Sequence, residues 1–176
     1  MAMLSFDIRD LESAAVTVNG EVLPDDAIWQ AGDPVPSGAI RVAGRLSAAG
    51  AGRFYWHSRI AGTAVLPCRR CLTETSVAVE DEAHLIFAEA GDAKTDDEVD
   101  DPDVYRFDRR AKELDLRPAV RELWLINAPA FVLCREDCPG LCPTCGADLN
   151  AGPCSCPPTH DARWDALHKL DSSSTT

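Results

Sequence analysis

Residues 134–156 read CREDCPGLCPTCGADLNAGPCSC, and a shorter echo, PCRRCL, occupies residues 67–72. All eight cysteines of the chain fall in these two stretches. They are grouped as Cys68-x2-Cys71, Cys134-x3-Cys138, Cys142-x2-Cys145 and Cys154-x-Cys156. A tight Cys-x2-Cys bend aims two sulfurs at one point while backbone amides face the same sulfurs. A closed structural zinc site needs four such ligands, each about 2.3 Å from the ion, at tetrahedral corners. Cys142-Pro143-Thr144-Cys145-Gly146 has the form of a zinc knuckle, because Gly146 permits the positive φ that the turn requires. Cys154 and Cys156 follow closely enough to complete it with little loop-closure entropy.

The expected assignment is therefore two zinc ions. Cys142, Cys145, Cys154 and Cys156 hold one of them. Cys68, Cys71, Cys134 and Cys138 hold the other, which would join segments more than sixty residues apart. The alternative pairing of Cys134 and Cys138 with Cys142 and Cys145 stays open at this point. Disulfides fit less well, since Cys154-x-Cys156 is awkward for unstrained geometry. A redox role for Cys68-Arg69-Arg70-Cys71 is the sharper rival, because two arginines favour thiolate. Thioredoxin-like motifs, however, open a helix in a βαβ setting, and this one lies between strand-like runs.

The chain has 176 residues, 45% of them hydrophobic and 26% charged, so a core can form without crosslinks to rescue it. Met1 to Asp10 lacks a basic stretch followed by an apolar one, and no apolar run approaches the roughly twenty residues of a membrane span. These features point to a reducing cytoplasm, where clustered cysteines hold metal. The formal charge of −12 argues against wrapping bare nucleic acid with the whole surface.

Upstream of the cysteines, residues 1–88 read as a strand-rich domain. Leu4, Phe6 and Ile8 alternate with polar neighbours, as do Val16 and Val18 before Asn19-Gly20, a strong hairpin signal with Val22 and Leu23 on the return. Ile40, Val42 and Leu46, the turn at 49–53, Phe54 to Leu66, and Val77 to Phe87 continue the pattern. Residues 89–104 form an acidic loop around Lys94, too polar to offset its ordering entropy. Residues 105–170 carry a helix and the cysteine-rich region. Asp115 can cap that helix, Pro118 suits its first turn, and Pro129 stops it. A second short helix would start at Asp161, and residues 171–176 form a disordered tail. The expected fold class is α+β, an antiparallel sheet or partly open barrel with a few helices and C-terminal zinc knuckles.

With these motifs in place, the chain resembles the YceD family of large ribosomal RNA subunit accumulation proteins. The residues that carry the likeness are Pro67-Cys68-Arg69-Arg70-Cys71-Leu72, the acidic loop, the helix ending at Pro129, and Cys134 through Asn150 with Cys154-x-Cys156. Asp161 and Arg163 match the family's terminal Asp-Pro-Arg, with Ala162 in place of proline. The resemblance covers about residues 55–170 and implies a role in accumulation or processing of bacterial 23S ribosomal RNA, without enzymatic activity. Some members lack part of the C-terminal cysteine set, whereas this chain has every ligand. By motif match, Arg70 is the family's knuckle arginine.

No phosphate loop or nucleophile triad is visible. His57 reads as a sheet residue and His160 as a spare ligand beside Cys156. Closed thiolate sites argue against metal-assisted hydrolysis. The expected function is therefore a non-enzymatic zinc protein in ribosome assembly. Its partner would be ribosomal RNA, a basic ribosomal protein or a processing enzyme, with no membrane and no small-molecule substrate. Arg69 and Arg70 are the candidate RNA contacts. The alternatives are a stand-alone RNA-binding module and a thiol redox protein using Cys68 and Cys71.

Overall fold

A computed structural model describes residues 4–50, 52–90, 103–157 and 163. The chain forms two compact units, one from Met1–Leu66 with Glu74–Val132 and one from Pro67–Thr73 with Leu133–Thr176.

The first unit is built on a five-stranded open sheet. Its strands are β2 (Val16–Val22), β3 (Ile40–Ala48), β4 (Arg53–Pro67), β5 (Glu74–Glu89) and β6 (Val104–Phe107), in that spatial order. The period-2 pattern sets its two faces. Val18, Val22, Ile40, Val42, Leu46, Phe54, Trp56 and Ile60 point inward and are almost wholly buried. A two-stranded ribbon pairs β1 (Ser5–Asp7) with β7 (Glu113–Asp115). Helix α1 (Ile8–Ser13) and helix α2 (Arg117–Asn127) add Leu11, Ala119, Val120, Leu123 and Trp124 to the same core.

Two glycines let backbones approach where a side chain would not fit. A Cβ on Gly44 of β3 would lie 2.2 Å from the carbonyl oxygen of His57 in β4, and one on Gly62 would lie 2.8 Å from the Trp124 ring. Trp124 is held from its other end, where Nε1 donates to the Pro34 carbonyl at 2.6 Å.

The structure corrects four expectations. The sheet is mixed rather than antiparallel, because β6 runs parallel to β5, pairing Ile86 with Val104. Fourteen residues separate Glu89 from Val104, enough for the return that a parallel pair needs. The sheet is open, as one of the expected forms had it, with β2 and β6 at its edges.

Asn19-Gly20 is no turn. It lies inside β2, with Asn19 opposite Ala43 and Gly20 opposite Val42. Gly20 continues the buried alternation of Val18 and Val22, and pairing with β3 overrides the local turn preference. Ile8 begins α1 rather than continuing a strand, since Asp7 accepts from the Arg9 amide at 2.8 Å and caps a helix there. The cap of α2 is Leu116, with Asp115 one position earlier accepting from the Arg117 amide at 3.0 Å.

The acidic stretch from 91 to 102, the helix expected from Asp161 and the tail lie outside the described residues. Among the described residues, no helix is long and apolar enough to cross a membrane.

Candidate metal centres

The second unit gathers all eight cysteines, none bonded to another. They form two groups of four, Cys68, Cys71, Cys134 and Cys138 in one and Cys142, Cys145, Cys154 and Cys156 in the other. Within each group, all ligand atoms lie within 4.8 Å of one another. The alternative that mixed Cys134 and Cys138 with Cys142 and Cys145 is not the arrangement found.

The spacing of the first group fits an ion. Sγ of Cys68 lies 3.9 Å from that of Cys138, and Sγ of Cys71 lies 3.6 Å from that of Cys134. A tetrahedron with arms of about 2.3 Å has edges of about 3.8 Å. Cys68 and Cys138 are almost completely buried, and Leu133 and Leu141 pack against this cluster.

The two Cys-x2-Cys turns share one backbone design. In the first, the Leu72 amide donates to the Cys68 carbonyl at 2.8 Å. In the second, the Gly146 amide donates to the Cys142 carbonyl at 2.9 Å. Both residues are left-handed, with φ of 63° at Leu72 and 73° at Gly146. Each turn also has its own anchor: the Cys68 amide donates to the Thr73 carbonyl, and the Cys142 amide to the Ala147 carbonyl, both at 2.8 Å.

Polar groups around the sulfurs bias three of them, Cys68, Cys71 and Cys142, toward thiolate. Burial pushes the Cys68 thiol up, but backbone amides of Cys134, Cys71 and Arg70 together bring it down to about 6. The Thr73 hydroxyl, 3.3 Å away, lowers Cys71. In the second group, the amides of Cys145 and Thr144 lower Cys142 to about 6. The same crowding raises Cys134 to about 12 through its contact with Cys138, and Cys156 to about 12 through Cys145. Four thiols this close cannot all ionise alone. A divalent cation held there would replace the protons that otherwise separate the charges.

Arg70 secures the first group from within the unit. Its Nη1 donates to the Cys138 carbonyl at 2.8 Å and to the Glu136 carbonyl at 3.4 Å, while its own carbonyl accepts from the Leu141 amide at 3.0 Å. Arg69, its neighbour, is exposed. The sequence reading missed Asn150, whose Nδ2 donates to Cys138 Sγ at 3.6 Å from the segment that carries the second group. The Leu-Asn ending of the knuckle was the available signal. It also missed the role of Thr73, two residues past Cys71. His160 lies outside the described residues.

Fold and site together define a mostly-sheet protein with a few helices and two four-cysteine clusters able to hold metal. Residues 57–171 match the family described as large ribosomal RNA subunit accumulation protein YceD, and the chain belongs to that family. It is 31% identical over 115 residues to an uncharacterized protein of Mycobacterium tuberculosis, covering 63% of this chain and 54% of the relative. A chloroplastic protein of Zea mays, named large ribosomal RNA subunit accumulation protein YCED homolog 1, is 32% identical over 97 residues, 49% of this chain and 33% of its own. Its Arabidopsis thaliana counterpart is 32% identical over 93 residues, 48% of this chain and 29% of its own. The chain thus spans about half the length of the mycobacterial relative and about a third of the plant ones. No solved structure matches it.

Proposed function

We propose that this protein is a non-enzymatic, zinc-dependent factor of the bacterial cytoplasm that supports accumulation of 23S ribosomal RNA during assembly of the large ribosomal subunit. The observation that carries the reading is the pair of complete four-cysteine clusters in a chain of this family. Catalytic zinc keeps one position open for water or substrate, whereas four thiolates close the shell. Zinc then supports folding, and the work is recognition of ribosomal RNA, a basic ribosomal protein or a processing enzyme. Arg69 and Arg70 would serve at the RNA-facing side, Arg70 mainly by holding the knuckle in shape. Burial weighs against the redox alternative, because Cys68 is fully shielded and a reactive cysteine needs partial exposure.

The test is made in the native host. Loss of the protein should lower the 23S-to-16S ratio and the large-subunit peak in sucrose gradients. Wild type should restore both, and a Cys68→Ser/Cys138→Ser variant should not. Full rescue by that variant would remove the metal from the function. Purified protein that bound 23S fragments in a salt-sensitive manner, and lost binding on Arg69→Glu, would favour direct RNA recognition over an adaptor role.

A further inference from the structure

The outer face of the sheet carries a cluster that uses no cysteine. Three cross-strand contacts join β4 to β5: Tyr55 with His84, His57 with Glu82, and Arg59 with Glu80. His57 Nε2 lies 2.7 Å from Glu82 Oε1, and His84 Nε2 lies 4.0 Å from the same oxygen. The two imidazoles stack with centroids 4.4 Å apart and planes 13° from parallel. Nδ1 of His84 is engaged by the Tyr55 hydroxyl at 2.7 Å, which fixes that ring and leaves Nε2 turned toward Glu82.

We propose that His57, Glu82 and His84 form a separate, open metal site that takes a divalent first-row transition-metal ion through two imidazole Nε2 atoms and one carboxylate oxygen. One candidate ligand atom from each of the three residues already lies within 4.8 Å of the others. Around an ion with arms of about 2.1 Å, such atoms sit roughly 3.4 Å apart, and because an ion lies in the plane of each imidazole that binds it, the two rings turn out of their parallel stack as the site closes. Two nitrogens and one oxygen suit zinc, nickel or cobalt rather than magnesium or calcium. The ion would take the place of the present contact between His57 Nε2 and Glu82 Oε1. Tyr55 is a positioning residue, because the partner on the second ring nitrogen orients a ligating histidine. The strands supply the rigidity: all three ligands stand on the two longest strands of the sheet, beside the Arg59–Glu80 ion pair. Three protein ligands leave coordination open to water or to an anionic oxygen. The site lies in the first unit and is independent of the thiolate clusters.

The test uses the full chain with its cysteine clusters loaded with Zn2+ and excess ion removed. Further Zn2+ is titrated while heat and the side-chain nitrogen resonances of His57 and His84 are followed. An additional equivalent should bind and shift both sets of resonances. His84→Asn and Glu82→Gln should weaken it at least about tenfold, and Tyr55→Phe should weaken it several-fold at unchanged Tm. Because these side chains face solvent, the variants should fold. His160→Asn/His168→Asn should bind as wild type does. Absence of the extra equivalent at millimolar Zn2+, or equal binding by His57→Asn/His84→Asn, would overturn the assignment.

Discussion

At the scale of the residue, the two knuckles set the same backbone problem and solve it with different side chains. The position after the second cysteine is left-handed, which doubles the chain back so that the next residue's carbonyl accepts from the amide of the first cysteine. Gly146 meets this without strain, and nothing within 4 Å would obstruct a Cβ there. Leu72 meets it as an L-residue at φ 63°, with 64% of its surface exposed. Gly146→Ala should therefore cost about 1 kcal/mol through the backbone alone, seen as a lower melting temperature of the zinc-loaded second unit. Leu72→Gly relieves comparable strain but frees the unfolded chain, and the two nearly cancel, leaving stability within about 0.5 kcal/mol. Equal and large losses at both positions would show that the conformation is not what these residues supply. Gly146 advertises its role in the sequence, while Leu72 does not, since leucine carries no turn signal of its own. Its conformation follows from closing the cysteine pair.

Between elements, the segment from Leu23 to Gly38 is held against α2 by an ion pair and an indole. Arg121 grips Asp33 with both ends of its fork, Nε to Oδ2 at 2.7 Å and Nη2 to Oδ1 at 2.9 Å. The Gln30 amide adds a third donor at 2.8 Å. The bond from Arg121, then that from Gln30, hold the Asp33 carboxyl below the usual carboxylate range. A depressed folded value means the contribution is complete above the unfolded value of about 3.9 and disappears as pH falls through the lower one. Asp33→Asn should thus lower the melting temperature at neutral pH, and the gap to wild type should begin to close only as pH falls below about 4. A gap independent of pH would mean that the carboxylate charge is not what matters. The strands themselves were legible because burial on one face imposes the period of two on β2, β3 and β4. The parallel placement of β6 was not, because Val104–Phe107 is short and no local signal records its partner. Asn19-Gly20 misled for the converse reason, since a local preference lost to seven residues of pairing with β3. The histidine site was recoverable in principle. His57 and Glu82 stand equidistant from the middle of Cys68–Cys71, so taking that knuckle as the hairpin tip brings them opposite each other.

For the whole molecule, the decisive fact is how far apart in sequence each cluster reaches. Cys71 and Cys134 are 63 residues apart, and everything between Glu74 and Val132 belongs to the sheet unit. An ion in the first cluster therefore closes a loop that contains β5, β6, β7 and α2, whereas one in the second closes only the short stretch from Cys142 to Cys156. In the chain-entropy account, a crosslink over about 60 residues removes roughly 4 kcal/mol of freedom from the unfolded state. For a chain of this size that corresponds to roughly 10 °C in melting temperature. The sheet unit has its own core, centred on Trp56 and Trp124, both fully buried, and that core should persist when metal is removed. Cys134→Ser/Cys138→Ser should accordingly lower the melting temperature of the sheet, followed by the near-ultraviolet signal of its tryptophans, by roughly that amount while leaving the second cluster loaded. Cys154→Ser/Cys156→Ser should release one metal ion per chain yet move the same transition by less than about 2 °C, since the loop it opens contains none of the sheet. Chelation of both ions should reproduce the larger shift and no more. If the two double variants moved the sheet transition equally, the closure of the long loop would not be what ties metal to the stability of the fold.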